Sequence, residues 1–180
     1  NVLSVGRLTY QKGFDMLLKA WKNIFDNNTD IVELKEWKLI IVGGGEDEIK
    51  LKSLCKQLQL ENSVTFVKPT IKIETFFRDA TIFVMTSRFE GLPLALVEAK
   101  AFGLPTISFD CETGPREVIT NEEDGLLIQA NDTIAMSQAI VRLITEPEVR
   151  KKFSMKSVQK AKNYELQHIA ALWDGLLKSI

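Results

Sequence analysis

Six short apolar runs alternate with segments of helical periodicity along most of this chain, and that alternation limits the folds available to it. The runs are Asn1–Val5, Lys38–Val42, Val64–Val67, Thr81–Met85, Pro105–Phe109 and Gly125–Ile128. They are rich in β-branched residues and apolar at successive positions, as expected for parallel strands that helices cover on both faces. The sequence therefore predicts an α/β domain with a doubly wound parallel sheet of about six strands. Ligands are expected at the carboxyl ends of the strands.

Helical spacing of apolar residues appears between the runs and again after the last one. The helical segments are Phe14–Phe25, Ile49–Leu58, Ile73–Arg78, the segment containing Glu98, the segment around Glu117, and Asp132–Thr145. Near the end of the chain, one stripe at helical spacing contains Leu166, Ile169, Leu172, Trp173, Leu176, Leu177 and Ile180. This stripe predicts a C-terminal amphipathic helix, packed either on this chain or on a missing neighbour.

Composition and charge restrict the function. The 180 residues fit one domain with its own core, and the formal net charge of −1 argues against nucleic acid as the main partner. No apolar run approaches the length needed to span a bilayer. Cys55 and Cys111 lack metal-ligand spacing, which favours a reduced cytosolic environment and leaves a disulfide open. Because the chain opens inside an apparent strand, we expect it to be cut from a longer chain, or to be only the part of one that is shown.

A basic cluster precedes the terminal stripe. It consists of Arg150, Lys151, Lys152, Lys156, Lys160 and Lys162. A solvated helix face is the favoured interpretation, and contact with an anionic membrane is the alternative.

The first strand-to-helix turn, VGRLTYQKGFD, carries two cations between two glycines. Gly6 ends the strand and Gly13 opens the next helix, with Arg7 and Lys12 flanking a polar loop. Such cations bind a diphosphate well, because their donors join the main-chain amides of a helix N-terminus. The alternative is that Arg7 pairs with a surface carboxylate and that Lys12 is merely exposed.

The second turn, IVGGGEDE, is rich in glycine but departs from a dinucleotide-binding pattern. The third position of G-x-G-x-x-G requires a small residue for helix packing, and Glu48 stands there instead. A tight structural turn is the favoured interpretation. The acidic residues Glu46, Asp47 and Glu48 then complement the dipole of the following helix and do not form a metal site.

The segment SRFEGLPLALVEAKAFGLP places two glutamates around an apolar helix start. Pro93 suits the first helical position, so Glu90 lies in the loop after the strand and Glu98 lies near the second turn of the helix. A carboxylate in an apolar helix is costly unless it is paired or binds ligand hydroxyls. Both glutamates are therefore expected to face one crevice beside Arg7 and Lys12, as a nucleotide-sugar site requires. The alternative is that Glu98 pairs with a core cation.

These motifs together resemble a known family. The stretch EGLPLALVE is similar to the signature E-x-x-x-x-x-x-x-E of retaining GT-B glycosyltransferases, specifically glycosyltransferase family 4 (glycosyl transferases group 1). The similarity extends over nearly the whole chain, through VGRLTYQKGFD, LIIVGGG, VTFV, SRFEGLPLALVEAKAFGLPTI, TGPREVI and NEEDGLLI. It implies that the chain is the Rossmann-like, C-terminal half of a GT-B fold, which binds the nucleotide-sugar donor.

The resemblance also implies roles for matching residues. Arg7 and Lys12 would hold the donor diphosphate and offset charge on the leaving nucleotide, and Glu90, the third catalytic residue, would lie at the donor sugar. Glu98 would bind the ribose hydroxyls. The remaining donor-binding residues would be Gly6, Gly91, Leu92 and Leu94, with main-chain amides of the last three near sugar or phosphate, and Thr70 at the base pocket. One position departs from the family, since Lys68 stands where glycine is frequent, and this leaves the base open.

The implied reaction is a retaining, metal-independent transfer of a hexose from a nucleoside diphosphate sugar, with a UDP-sugar slightly favoured and no other cofactor. The acceptor would be a glycan or a lipid-linked sugar, bound through the missing N-terminal domain. The isolated domain is expected to be inactive. A cytoplasmic location follows, with peripheral association of the full-length protein at the inner face of a membrane as an open alternative.

Two other functions remain open on the same architecture. A nucleotide-sugar epimerase of the GT-B type would keep the phosphate contacts but not the spacing of Glu90 and Glu98. A binding module would recognise nucleotide-sugars without turnover. Of the remaining candidates, His168 is expected to be structural, Cys111 receives no nucleophilic role, and Glu117 is a candidate contact near the nucleotide.

Overall fold

The computed structural model describes residues 1–28 and 31–178, and within them six strands form one sheet. The strands are β1 (Val2–Val5), β2 (Leu39–Val42), β3 (Val64–Val67), β4 (Ile82–Met85), β5 (Thr106–Asp110) and β6 (Gly125–Gln129). All pairings are parallel, and the order is β3-β2-β1-β4-β5-β6. The predicted doubly wound parallel sheet is confirmed.

The strand order reverses direction between β1 and β4. Val2 of β1 pairs with Leu39 of β2 on one side and with Ile82 of β4 on the other. The connections after these two central strands diverge toward opposite sides of the sheet, which opens a crevice at the carboxyl ends of β1 and β4. In open α/β sheets, ligands bind at such a switch point.

Helices cover both faces of the sheet. They are α1 (Phe14–Asn27), α2 (Glu48–Gln57), α3 (Ile73–Asp79), α4 (Leu94–Ala101), α5 (Pro115–Val118), α6 (Thr133–Thr145), α7 (Pro147–Ala161) and α8 (Leu166–Lys178). Helices α1, α2 and α6 bury apolar side chains against one face, and α3, α4 and α5 pack on the other. Short 3-10 turns form at Tyr10–Lys12, Val32–Glu36 and Lys162–Tyr164.

Local sequence signals explain where two of these helices begin. Asp132 caps α6, because its carboxylate accepts hydrogen bonds from the amides of Ile134 and Ala135 at 3.1 and 2.9 Å. Gly13 precedes α1 with a φ of 63°, in the left-handed region that favours glycine. A Cβ at Gly13 would also collide with the main-chain oxygen of Thr86, so this glycine lets the loops after β1 and β4 approach closely.

The predicted C-terminal helix is present as α8, but the described chain leaves its apolar stripe largely uncovered. None of its described residues is buried, and its apolar residues remain between 37% and 84% exposed. Ile180, the last member of the predicted stripe, lies outside the described residues. Periodicity therefore identified the helix correctly, and of the two alternatives for the surface that covers its stripe, the described chain does not supply one. No helix in the described part of the chain combines the length and apolar character that crossing a bilayer requires.

The basic cluster lies on α7 and the turn after it, and it is only partly a solvated face. Arg150 donates to the main-chain oxygens of Leu143 and Ile144 at 2.5 and 2.7 Å, at the end of α6. Lys152 and Lys160 also donate, to the Glu122 main-chain oxygen and the Thr120 hydroxyl. The remaining members, Lys151, Lys156 and Lys162, are exposed.

A buried ion pair joins α4 to the loop before β6. Lys100 is completely buried, and its ammonium group lies 2.6 Å from Oδ1 and 3.0 Å from the main-chain oxygen of Asp124. Ser157 of α7 donates to the same main-chain oxygen, and the amide of Thr120 donates to the carboxylate. Burial lowers the pKa of Lys100 although the neighbouring carboxylate favours its charged form. The pair fixes α4 against α7 and the β6 loop.

The two cysteines are free and buried. Cys55 lies in α2, whereas Cys111 follows β5, and burial raises the pKa of both thiols. The disulfide that the sequence left open is therefore absent from the described structure.

Candidate functional site

A pocket of about 310 Å³ opens at the carboxyl ends of the central strands, where the topology places a ligand crevice. We call it the switch-point pocket. Its lining residues are Val5, Gly6, Arg7, Val42, Gly43, Gly44, Pro69, Thr70, Ile73 and Glu98. Its volume lies at the lower end of the range for small-molecule sites. Four predicted site residues, Gly6, Arg7, Thr70 and Glu98, thus share one pocket.

The triple-glycine turn after β2 forms one wall of this pocket. A Cβ at Gly43 would collide with the main-chain oxygen of Gly6, and one at Gly45 would lie 2.5 Å from that of Leu8. Glycine is required there because the β2 loop packs directly on the backbone of the β1 loop. The interpretation as a tight structural turn is confirmed, and the sequence missed that Gly43 and Gly44 also line the pocket.

Arg7 and Glu98 contribute opposite charges to the pocket, but they do not form an ion pair with each other. Neither side chain has a hydrogen bond or ion pair with any residue that the structure describes, and both residues are exposed. Partial removal of the Glu98 carboxyl group from water raises its pKa. A free guanidinium and a free carboxylate in one pocket can bind a ligand that has both an anionic group and hydroxyl donors.

Glu98 therefore differs from the expectation in one respect. It lies on the fifth residue of α4, near the second turn as predicted, but its residue is exposed and not enclosed by apolar side chains. The alternative that it pairs with a core cation is wrong, because the buried cation of α4, Lys100, pairs with Asp124. Pro93 lies at the N-cap, one residue before the predicted position.

Lys12 and Glu90 form an ion pair at the rim of the pocket. Lys12 Nζ lies 2.6 Å from Glu90 Oε1, and the hydroxyl of Ser87 donates to the same oxygen at 2.6 Å. The Glu90 side chain is only 6% exposed and that of Lys12 is 21% exposed. The aliphatic part of the Lys12 side chain passes over Gly6, because a Cβ built on Gly6 would lie 3.4 Å from the Lys12 carbons. Because Gly6 lines the pocket, the ion pair of Lys12 and Glu90 lies next to the pocket.

Arg88 connects the β4 loop to the β1 loop. Its guanidinium binds both carboxylate oxygens of Asp15 at 3.0 and 2.8 Å and donates to the main-chain oxygen of Tyr10 at 2.6 Å. It also stacks 4.0 Å from the centroid of the Tyr10 ring. The Arg88 amide donates to the main-chain oxygen of Gln11, and Gln11 Nε2 donates to the main-chain oxygen of Phe89. These contacts hold the segments that carry Lys12 and Glu90 beside each other.

The loop after β5 supports the same region from the other side. Thr113 donates its hydroxyl to the main-chain oxygen of Glu90. Gly114 has a φ of 94°, and a Cβ there would collide with the main-chain oxygen of Gly91 and lie 2.9 Å from Pro93. No individual role was predicted for Thr113 or Gly114, although TGPREVI was among the matching motifs. Glycine before Pro115 was the available signal.

The remaining predicted residues lie at varied distances from this site. Gly91, Leu92 and Leu94 are exposed after β4 and do not line the switch-point pocket. Lys68, the departure from the family pattern, is exposed outside the pocket. The hydrogen bond and charge of Lys52 lower the pKa of Glu48 on α2, and the charge of Lys68 lowers it further.

Three further candidates also lie outside the pocket. Glu117 is exposed on α5, where its main-chain oxygen accepts from the Tyr164 hydroxyl. His168 is exposed on α8, and Cys111 is buried after β5. Among residues 1–28 and 31–178, no three His, Cys, Asp or Glu side chains come together as a group that could hold a metal. Independence from metal stays a prediction.

Comparison with known proteins identifies relatives of this chain. A family model described as "Glycosyl transferases group 1" matches residues 1–160. The amylovoran biosynthesis glycosyltransferase AmsD of Erwinia amylovora is 39% identical over 177 residues, which cover 98% of this chain and 48% of that protein. An α-1,4-N-acetyl-D-galactosaminyltransferase of Campylobacter jejuni, named for an undecaprenol-linked substrate, is 28% identical over 99% of this chain and 48% of its own length. The chain thus spans about half the length of these relatives.

Solved structures share the fold. The Anabaena protein HepE in complex with UDP superimposes with a TM-score of 0.87 at 20% identity, covering 99% of this chain and 49% of that one. The pneumococcal O-GlcNAc transferase GtfA, in complex with UDP and GlcNAc, gives a TM-score of 0.85 at 24% identity, covering 99% and 35%. At these identities the similarity establishes the architecture alone.

Proposed function

Because this chain belongs to the glycosyl transferases group 1 family, we propose that it is the donor-binding domain of a longer glycosyltransferase. The longer protein would contain a second, N-terminal domain that binds most of the acceptor. The proposal is supported by the length of the relatives, about twice the aligned region. It is also supported by the α/β architecture, since solved neighbours with this fold bind UDP.

The observation that carries the proposal is the pair of unpartnered charges in the switch-point pocket. The guanidinium of Arg7 can bind diphosphate oxygens, and the carboxylate of Glu98 can accept hydrogen bonds from two ribose hydroxyls. Thr70 and Pro69 form the part of the wall assigned to the base. A nucleoside diphosphate carries a ligand group for each of them, namely a diphosphate, a ribose and a base.

The sugar and the reacting bond would lie toward the ion pair of Lys12 and Glu90. Lys12 would bind the diphosphate together with Arg7, and Glu90 would lie at the donor sugar. The main-chain amides of Gly91, Leu92 and Leu94 would approach the sugar or the phosphates. The three residues are exposed at the carboxyl edge of the sheet, and the amide of Leu94 already donates to the main-chain oxygen of Leu92.

The chemistry proposed is retaining hexosyl transfer. The bond between the anomeric carbon and the diphosphate oxygen breaks, and the acceptor oxygen forms the new bond on the same face of the sugar. A diphosphate oxygen takes the acceptor proton, so no metal is required. Arg7 and Lys12 stabilise the negative charge that develops on the leaving diphosphate, and such electrostatic stabilisation is usually the largest catalytic contribution.

The names of relatives suggest the class of acceptor. AmsD is named for amylovoran biosynthesis, and the Campylobacter enzyme for a saccharide on diphospho-undecaprenol. We therefore place this protein in polysaccharide or lipid-linked glycan assembly, with a glycan or a lipid-linked sugar as acceptor. A cytoplasmic enzyme that meets its acceptor at the inner face of a membrane would satisfy this role.

The first test concerns the division of labour between domains. The chain described here is expected to bind a nucleoside diphosphate, because the groups that bind phosphate and ribose are present, and to transfer no sugar. Titration calorimetry with UDP, GDP and ADP would measure binding and name the base, and an assay with radiolabelled UDP-sugars would measure transfer. Robust transfer by this chain alone would contradict the two-domain proposal, and absence of binding to all three would contradict the donor role.

Glu98→Gln tests the ribose assignment. The amide has a single acceptor oxygen, so nucleotide affinity should fall by roughly 1–3 kcal/mol. Because the fold raises the pKa of Glu98, the ionised form destabilises the native state above the unfolded pKa, and stability is recovered as the pH falls. The variant should consequently be as stable as the parent at neutral pH, or more stable.

Titration calorimetry and a thermal melt on this one variant are sufficient. Glu74→Gln is a suitable control, since Glu74 is also an exposed helical glutamate, on α3 and outside the pocket. Loss of stability with unchanged nucleotide affinity in Glu98→Gln would refute the ribose assignment.

A non-catalytic binding module remains the second candidate, because the chain alone covers only half of its relatives. Assays of turnover and binding with the longer protein distinguish the two functions. Turnover of a nucleotide-sugar with an acceptor supports the transferase, whereas tight binding without turnover supports the module.

A further inference from the structure

A second cavity lies at the opposite end of the sheet from the switch-point pocket. It has a volume of about 370 Å³, and we call it the basal cavity. Its lining includes Arg78, Thr81, Phe102, Pro105, Arg150, Lys151 and Ser154. Thr81 and Pro105 immediately precede β4 and β5, which places the cavity at the amino ends of these strands.

Three cations line the basal cavity, and none of its lining residues within the described chain is acidic. Arg78, Arg150 and Lys151 come from α3 and α7, so the two helices bring like charges to one concave surface. Arg78 has only a long contact of 3.6 Å to Glu74, with both side chains about 70% exposed, which offsets little of its charge. Cations gathered around a cavity without a carboxylate favour an anionic ligand.

Other features of the cavity suit a ligand with a phosphate. The guanidinium of Arg150 is fixed by hydrogen bonds to two main-chain oxygens at the end of α6, so little side-chain entropy remains to be lost on binding. The hydroxyl of Ser154 has no hydrogen-bond partner among the described residues and can donate to an oxygen. Phe102 is 37% exposed, and it adds an apolar surface beside the cations.

We propose that the basal cavity binds a phosphate-bearing ligand, at a site separate from the switch-point pocket. Two sources share this chemistry, a free phosphorylated small molecule and the headgroup of an anionic lipid. Arg78 and Lys151 are exposed, so either ligand can reach the cavity from solvent. The proposal is independent of the glycosyltransferase function.

Amide chemical shifts can report on the two sites of the chain separately. In a titration with inorganic pyrophosphate, the Gly103 amide reports on the basal cavity and the Gly44 amide on the switch-point pocket. We expect a saturable shift of Gly103. The double variant Arg78→Gln and Lys151→Gln should weaken it at least about tenfold, with the Gly44 response unchanged. Lys156→Gln, an exposed lysine of α7 outside the cavity, is the matched control and should leave both unchanged.

Sedimentation with vesicles distinguishes a lipid headgroup from a free small molecule as the source of the bound phosphate. Binding to phosphatidylglycerol vesicles, but not to phosphatidylcholine vesicles, that is lost in the double variant and kept in Lys156→Gln identifies a lipid headgroup. A Gly103 response to pyrophosphate without vesicle binding identifies a free ligand. The proposal is overturned if neither probe binds, or if Lys156→Gln weakens binding as much as the double variant, since that result means diffuse attraction.

Discussion

Replacing Lys100 by alanine is expected to lower the free energy of unfolding by about 3–5 kcal/mol, the usual effect of removing one partner of a buried ion pair. The ammonium group of Lys100 is completely buried, and the carboxylate of Asp124 beside it is 5% exposed. The truncation would leave that carboxylate with the amide of Thr120 as its remaining hydrogen-bond donor among the described residues and would also open a void beside α4. Denaturation with urea, followed by circular dichroism, measures the effect.

Two further variants separate charge from packing at this position. Lys100→Met keeps most of the side-chain volume and removes the charge, and Lys100→Met with Asp124→Asn removes both charges. The double variant should recover part of the loss, because burial already lowers the pKa of Lys100 and the charged pair contributes little net stability. A loss below about 1 kcal/mol for Lys100→Ala would place the pair among ordinary surface contacts and contradict its structural role.

Arg7→Ala is expected to weaken nucleoside diphosphate binding by roughly 1.5–3 kcal/mol, about tenfold or more, and to leave nucleoside binding nearly unchanged. Arg7 is exposed and has no partner among the described residues, so its removal should not disturb the fold. Titration calorimetry with UDP and uridine measures the difference. Equal losses for both ligands would contradict the assignment of Arg7 to the diphosphate.

Lys12→Ala should also weaken diphosphate binding, by less than Arg7→Ala because Glu90 already offsets part of the Lys12 charge, and it should have a stability cost that Arg7→Ala lacks. The reason is that Lys12 is the cation paired with the nearly buried Glu90. Lys68→Ala is the matched control for both variants. Lys68 is an exposed cation after β3 at the same edge of the sheet, and it does not line the pocket.

The fold was predictable from the sequence because strands that are buried on both faces appear in it as short, continuous apolar runs. The predicted run Val64–Val67 is β3 with the same bounds, and Asp132 precedes α6 as its cap. The environment of α8 was not predictable in this way. An amphipathic stripe shows that a helix has an apolar face, but it contains no information about the surface that covers that face.

The site was predictable in its location and less so in its internal contacts. Strand order brings Arg7 and Glu98 to one pocket, because residues after neighbouring parallel strands meet at the same edge. The contacts of Lys12 with Glu90 and of Arg88 with Asp15 join residues more than 70 positions apart. Such pairings depend on side-chain conformation at close range, and the sequence does not encode them as a pattern.

Under the proposed function, the ion pair at the rim of the pocket holds an anion, Glu90, that competes with the ligand for Lys12. In the described structure Lys12 is already neutralised by Glu90, so an incoming phosphate must exchange places with that carboxylate or share the lysine with it. Part of the attraction between Lys12 and a phosphate is therefore cancelled before binding begins. Weakening this competitor, as in Glu90→Gln, should tighten the hold on a nucleoside diphosphate. Tighter binding of the nucleoside diphosphate would slow its dissociation after transfer. In an enzyme with this arrangement, the ion pair would therefore lower the affinity for the nucleoside diphosphate and speed its release.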